Sequence, residues 1–213
     1  MTGKPRLFGS DYSVYVRIAR LVLLEKGVDH EVMPVDVFTP GGPPAWYRDH
    51  HPFSKIPAFE HGAFRLFETS AITRYVDDAF DGPALQPSDA RRRAVMNQII
   101  GLLDAYAYRT LVWDIYVERV SKPRDGKPSD EARIAAAIPV AETCLATLSR
   151  LKSPGPWLLG DTLTLADLHA APIFAYFLKA PEAAPLMKAQ PELVGWWGRI
   201  GARPSFLATE PTS

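Results

Sequence analysis

Apolar positions along the chain fall into two regimes. From Ser13 to Lys26, Val14, Ile18, Leu21 and Val22 recur at helical spacing. Val16, Ala19, Leu23 and Leu24 widen that stripe until only Arg17, Arg20 and the closing Glu25-Lys26 are charged. The pattern predicts a helix covered on most sides and stopped by Gly27, which can take the left-handed cap conformation. Ahead of it Arg6-Leu7-Phe8 reads as a short strand. Behind it residues 31–37 read as a second strand, moved towards a sheet edge by Pro34. Ala58-Phe59-Glu60 and residues 64–67 flank His61-Gly62 as a tight hairpin, with Gly62 supplying a positive φ. A helix from about Ser70 to Asp78 follows, so the order is β-α-β, then β-β-α.

The turn-rich segment 81–87 ends this regime, and no convincing strand follows it. Residues 89–121 read as one long helix with a stripe of Val95, Ile99, Leu102, Leu103 and Tyr106, and 121–129 (SKPRDGKPS) as a polar loop. Residues 130–151 are helical again, with Pro139 expected to kink or divide them because it removes a backbone donor. Thr164-Leu165-Ala166-Asp167 is a capping box with Asp in the acidic position, and Leu163 and Leu168 stand where a hydrophobic staple would. That motif concerns folding rather than chemistry. The expected organisation is a βαβ-ββα domain over residues 1–80, a linker at 81–88 and an all-helical domain over 89–213.

Composition narrows the function classes. The chain has 213 residues, 47% of them hydrophobic, with 24 basic and 24 acidic side chains. Up to residue 80 there are 9 basic and 10 acidic residues, and beyond it 15 and 14, so neither half carries the electrostatic footprint of a nucleic-acid binder. Cys144 is the only cysteine, which excludes an intrachain disulfide, a CxxC pair and a Cys-rich zinc site. No apolar run approaches 18 residues, and the N-terminus lacks a signal-peptide apolar core. The expectation is a cytoplasmic globular protein, without membrane or nucleic-acid partners.

Candidate chemistry is sparse. Ser10, Tyr12 and Ser13 lie between the first strand and the first helix. Their hydroxyls can cap the helix, or aim at an anion above a helix N-terminus, where free N–H groups and the macrodipole favour negative charge. Glu68-Thr69-Ser70 has the same two readings at the next helix. His50 and His51 are adjacent, so their side chains diverge and lack the spacing of a helical metal pair. Nucleophile elbow, Walker loop and G-x-G-x-x-G are all absent from the sequence. Tyr106, Tyr108, Trp113 and Tyr116 share one long helix, where core packing is the default role and a ligand wall the alternative.

Five segments in order carry a family resemblance: LFGSDYSVYVRIARLVLLEKG (7–27), HPFSKIPAFEHG (51–62), LFETSAITRYV (66–76), WLLGDTLTLADL (157–168) and PELVGWWGRIGARPSF (191–206). Together they resemble the cytosolic glutathione transferases, in particular serine-type, phi- and theta-like bacterial members. The resemblance implies a thioredoxin-like domain that binds glutathione as co-substrate, with no metal, and a helical domain that shapes the second-substrate pocket. It implies a cis Ile56–Pro57 bond, with the Ile56 backbone pairing with the cysteinyl part of glutathione. Glu68 and Thr69 match the pair that holds the γ-glutamyl end, and Lys55 a position near the glycyl carboxylate. Ser13 aligns with the catalytic serine, Ser10 and Tyr12 being the alternatives. Tyr12, Tyr106, Tyr108 and Trp113 are the aromatic candidates for the second-substrate pocket. The basic residue that related chains carry before the 51–62 segment is missing from Thr39–Pro44. The implied activity is conjugation of a small apolar electrophile by a homodimer. A non-catalytic binding or scaffolding module, and a glutathione-dependent isomerase or dehalogenase, are the alternatives.

Overall fold

The computed structural model describes residues 3–211. The described residues divide into two units, 3–85 with 203–211, and Gln86–Ala202.

In the first unit β1 (Arg6–Gly9), α1 (Val14–Glu25) and β2 (Glu31–Pro34) are followed by a 3-10 turn (Ala45–Asp49), β3 (Ala58–His61), β4 (Phe64–Phe67) and α2 (Thr69–Ala79). The strands form one sheet in the order β2-β1-β3-β4, with β2 parallel to β1 and the other two pairs antiparallel. Pro34 thus lies on an edge strand. The strand ends three residues earlier than the apolar pattern suggested, because its partner, β1, ends at Gly9, which pairs with Pro34. Side chains alternate between faces. Leu7 and Phe59, paired across β1 and β3, are fully buried on one face; Phe8 and Ala58 join Val35 and Tyr47 in a cluster on the other. α1 ends in a Schellman cap: Gly27 N–H donates to Leu24 O and Val28 N–H to Leu23 O, with Gly27 at φ +67°.

The second unit is helical. α3 (Ala90–Leu102) continues without a break into a π-helical stretch (Leu103–Ser121) and a closing turn (Lys122–Arg124). The helix therefore runs three residues past its expected end at 121. Its buried face holds Met96, Ile99, Ile100, Leu103, Ala107, Leu111 and Ile115. Tyr106, placed on the buried stripe by sequence, is 62% exposed instead. The wider i→i−5 pairing changes the angular period, so a 3.6-residue template loses the correct phase there.

α4 (Glu131–Leu151) passes through Pro139 undivided. It is long and apolar enough, by length and composition, to cross a membrane. Yet it carries Glu131, Arg133, Glu142 and Arg150, and a buried seam of Ile134, Ala137, Ala141, Cys144, Leu145 and Leu148. α5 (Leu165–Phe177), α6 (Ala183–Lys188) and α7 (Pro191–Ile200) complete the unit. Asp167, fully buried in the capping box, accepts from Thr164 N–H and hydroxyl, Leu158 N–H and Trp196 Nε1–H.

The terminal helix α8 (Pro204–Ala208) belongs to the first unit, although its position in sequence placed it with the helical half. Buried Arg17 of α1 explains this: it donates to Phe206 O and Thr209 Oγ1 and lies 4.1 Å over the Phe206 ring. Arg203 and Ser205 also bond Glu25.

Candidate active site

Strand register brings three loops to one end of the sheet. Phe8 of β1 pairs with Ala58 of β3, which pairs in turn with Phe67 of β4. The segment leaving β1 (Ser10–Ser13), the segment entering β3 (Lys55–Pro57) and the segment leaving β4 (Glu68–Thr69) therefore all start from this row. Gly9 permits the close fit, since a Cβ there would lie 2.3 Å from Val16 Cγ2. The Ile56–Pro57 bond is cis. Ile56 stands ahead of the first paired residue of β3, so its N–H and C=O lie outside the ladder. Tyr47, fully buried, fixes this approach by donating its hydroxyl to Lys55 O at 2.8 Å. Lys55 itself is exposed.

The three candidate hydroxyls differ in their commitments. Ser10 donates to Val35 O at 2.7 Å. Tyr12 donates to Asp36 Oδ1 at 2.7 Å, and its pKa is pushed up to about 12, by burial first and then by the Asp36 bond. A tyrosinate is thus disfavoured at neutral pH. Ser13 is the N-cap of α1, and its oxygen accepts from Val16 N–H at 3.3 Å. Capping uses a lone pair and leaves the hydroxyl proton available. The capping and anion-directed readings of Ser13 are therefore compatible.

Glu68 is the N-cap of α2, with φ +69° and ψ 112° and no side-chain cap bond. A non-glycine residue there is strained, and such strain persists where surrounding structure or function maintains it. Glu68 is exposed and Thr69 buried beside it. Neither α1 nor α2 carries an acid in its first turn. The N-terminus of α1, capped by Ser13, thus offers a positive dipole end to an anion, whereas that of α2 carries Glu68 at its N-cap.

His50 and His51 follow the 3-10 turn and part ways. His50 Nε2 lies 3.2 Å from Glu60 Oε2, whereas the His51 ring packs 5.0 Å from that of Phe67.

Two family models cover most of the chain: the glutathione S-transferase N-terminal domain over residues 7–84 and the C-terminal domain over 108–204. A glutathione S-transferase of Hyoscyamus muticus is 31% identical over 204 residues, spanning 94% of this chain and 95% of that protein. The chain belongs to the glutathione S-transferase family. The structure of glutathione S-transferase III in apo form superposes with a TM-score of 0.84 at 30% identity, covering 97% of this chain and 95% of the other. A theta-class glutathione S-transferase from Xanthomonas axonopodis pv. citri, solved with glutathione bound, gives 0.83 at 25% identity, covering 100% and 99%.

In this glutathione S-transferase the aromatic candidates come from both units. Tyr12 belongs to the first unit. Tyr106, Tyr108 and Trp113 lie on the π-helical stretch of the second, where Trp113 donates a hydrogen bond to the Tyr108 hydroxyl. Tyr116 packs 4.8 Å from Tyr176 instead and is buried. Sequence reasoning missed Tyr47 and weighed His51 only as half of a metal pair with His50. The one available signal for Tyr47 was its place just before the cis-proline segment.

Proposed function

We propose that Ser13 activates the thiol of glutathione and that the chain transfers the resulting thiolate to a small apolar electrophile. The observation that carries this reading is the uncommitted proton of Ser13, at the sheet end where Ile56, Glu68 and Thr69 also start. Ser10 and Tyr12 have theirs engaged. In this role Ile56 pairs through its backbone with the cysteinyl residue, Glu68 and Thr69 hold the γ-glutamyl end, and Lys55 faces the glycyl carboxylate. The thiol proton leaves to solvent. Sulfur then attacks an electrophilic carbon, forming a C–S bond as the leaving group departs with its electron pair.

The energetic demand is modest. An unperturbed thiol of pKa about 8.5 is roughly 3% ionised at pH 7; lowering it two units, about 2.7 kcal/mol, gives roughly three-quarters thiolate. One charge-assisted hydrogen bond contributes about 1.5–3 kcal/mol, and the helix dipole about 0.3–1 more. Tyr12, Tyr106, Tyr108 and Trp113 are assigned to the electrophile on family resemblance.

The test is retention on immobilised glutathione followed by turnover of a chromogenic aryl halide. Both are expected; retention without turnover would favour a binding module, and failure of both would refute the reading. A cytoplasmic, two-fold homodimer is part of the same proposal. Light scattering should therefore give about twice the 23.6 kDa of one chain, and a value near one chain would refute the dimer.

A further inference from the structure

The buried polar group that the site leaves unexplained is His51. Its backbone is pinned on both sides, N–H to Tyr47 O at 3.0 Å and C=O to Ser54 N–H at 2.9 Å. The side chain is 3% exposed and wedged between the rings of Phe53 and Phe67, with centroids 6.3 and 5.0 Å away. Phe67 is the last residue of β4 and immediately precedes Glu68. The imidazole therefore sits at the same end of the sheet as the three loops. Nδ1 is buried and has no hydrogen-bond partner among the described residues. With no acceptor facing Nδ1, the ring proton belongs on Nε2, which becomes the one donor the side chain can offer.

Burial holds the His51 pKa below its ordinary value, with Glu68 pulling it up and Lys55 pushing it down. These two charged residues are the ones the glutathione reading assigns to opposite ends of the tripeptide. A neutral imidazole keeping its N–H at pH 7 fits a hydrogen-bond donor rather than a base. Thr39–Pro44 offers no cation, and a single exposed lysine secures a carboxylate only weakly, as surface ion pairs do. An N–H preoriented by the Phe53 and Phe67 rings, on a side chain close enough to that lysine to feel its charge, is a stronger and more selective partner.

We propose that His51 is a glutathione-contacting residue whose imidazole N–H, together with Lys55, binds the glycyl carboxylate of the tripeptide. This inference rests on the glutathione reading of the site. The residue sets affinity and selectivity for a free C-terminal carboxylate and takes no part in thiol activation.

The experiment compares S-methylglutathione with its glycyl monoethyl ester by titration calorimetry, using wild type, His51→Ala and His51→Gln. Blocking the sulfur removes thiol ionisation from the measurement. Loss of a hydrogen bond to a charged group corresponds to about a tenfold or larger rise in Kd. His51→Ala is expected to show that rise for the free acid and less than a twofold change for the ester. Retained ester binding also reports that the variant is folded. His51→Gln keeps an N–H donor and should recover part of the free-acid affinity. Equal losses on both ligands would make His51 a structural residue, and no loss would make it a bystander; either result overturns the proposal. Wild type binding neither ligand would instead overturn the glutathione reading itself, and this proposal with it.

Discussion

Ser13→Ala separates two functions that the structure gives to one hydroxyl. The oxygen caps α1 by accepting from Val16 N–H, at 3.3 Å, a long bond. Losing an N-cap costs about 1 kcal/mol, and this long contact places the expected loss in the lower half of the known range, about 0.5–1 kcal/mol. The proton, by contrast, is assigned to the glutathione sulfur, where a charge-assisted bond contributes about 1.5–3 kcal/mol. Removing it raises the pKa of the bound thiol by about 1–2 units. The thiolate fraction at pH 7 then falls from roughly three-quarters to between about 3% and 25%. If the same bond persists in the transition state, kcat at pH 7 follows that fraction and falls about 3- to 25-fold with little change in KM for glutathione. The assay is the thiolate absorbance of bound glutathione against pH, with kcat measured in parallel. The wild-type rate should level off near neutrality, while the variant's keeps rising above pH 8. Ser13→Asp is the control: it preserves a capping acceptor but supplies no donor at neutral pH, so stability should recover and the rate should not. Tyr12→Phe should leave the titration in place. A thiol pKa unmoved in Ser13→Ala, or displaced in Tyr12→Phe alone, would refute the argument from uncommitted protons.

Glu68→Ala and Glu68→Gly both remove the carboxylate and should raise KM for glutathione more than they lower kcat; a normal KM in either would contradict its role at the γ-glutamyl end. In denaturant titrations the glycine variant should be the more stable by about 1–2 kcal/mol, because glycine relieves the φ of +69°, and equal stabilities would deny the strain. Fully buried Glu118 has a pKa that burial alone would raise, but the Lys122 and Asp130 N–H bonds, with the charges of Lys122 and Arg133, hold it below the ordinary carboxylate range. Its stabilisation is present above the unfolded value of about 4.3 and is lost as pH falls through the lower folded value. Thermal melts from pH 6 to pH 3 should thus fall more steeply for wild type than for Glu118→Gln, and parallel curves would refute the assignment.

Much of the first unit could be read in the sequence because its signals are local. Gly27 and Gly62 mark a helix stop and a hairpin by their tolerance of positive φ, and both do so in the structure. Pro34 points to an edge strand for lack of an N–H, and β2 is one. What could not be read depends on distant partners or on conformations that residue type does not announce. The 3-10 turn carrying Tyr47 spans five residues, too few for any periodicity to register. The phase of the long helix slips where π pairing replaces α pairing, which is why Tyr106 looked buried. Glu68 at positive φ contradicts residue statistics. For the hydroxyls, the sequence placed Ser10, Tyr12 and Ser13 together, but ranking them required Val35 O and Asp36, each more than twenty residues away.

Register, more than any single side chain, holds the candidate site together. Phe8, Ala58 and Phe67 lie side by side across three strands, and each site segment starts within a few residues of that row. Sliding β3 by one residue against β1 would turn Phe59 and Ala58 to opposite faces. It would also shift Ile56 by about 3.3 Å relative to Ser13, more than a hydrogen bond can tolerate. The core forbids that slip, since Leu7 and Phe59 are fully buried on one face while Phe8 and Ala58 pack with Tyr47 on the other. Tyr47 then extends the constraint beyond the last paired residue by holding Lys55 O, one residue before Ile56. The apolar packing that makes the sheet thus also sets the spacing between a hydroxyl donor, an unpaired peptide and a strained carboxylate. The fold at this end of the sheet is therefore expected to survive side-chain changes at Ser13 or Glu68, which alter one function each, whereas the site should fail as a unit when Tyr47 or Phe59 is truncated.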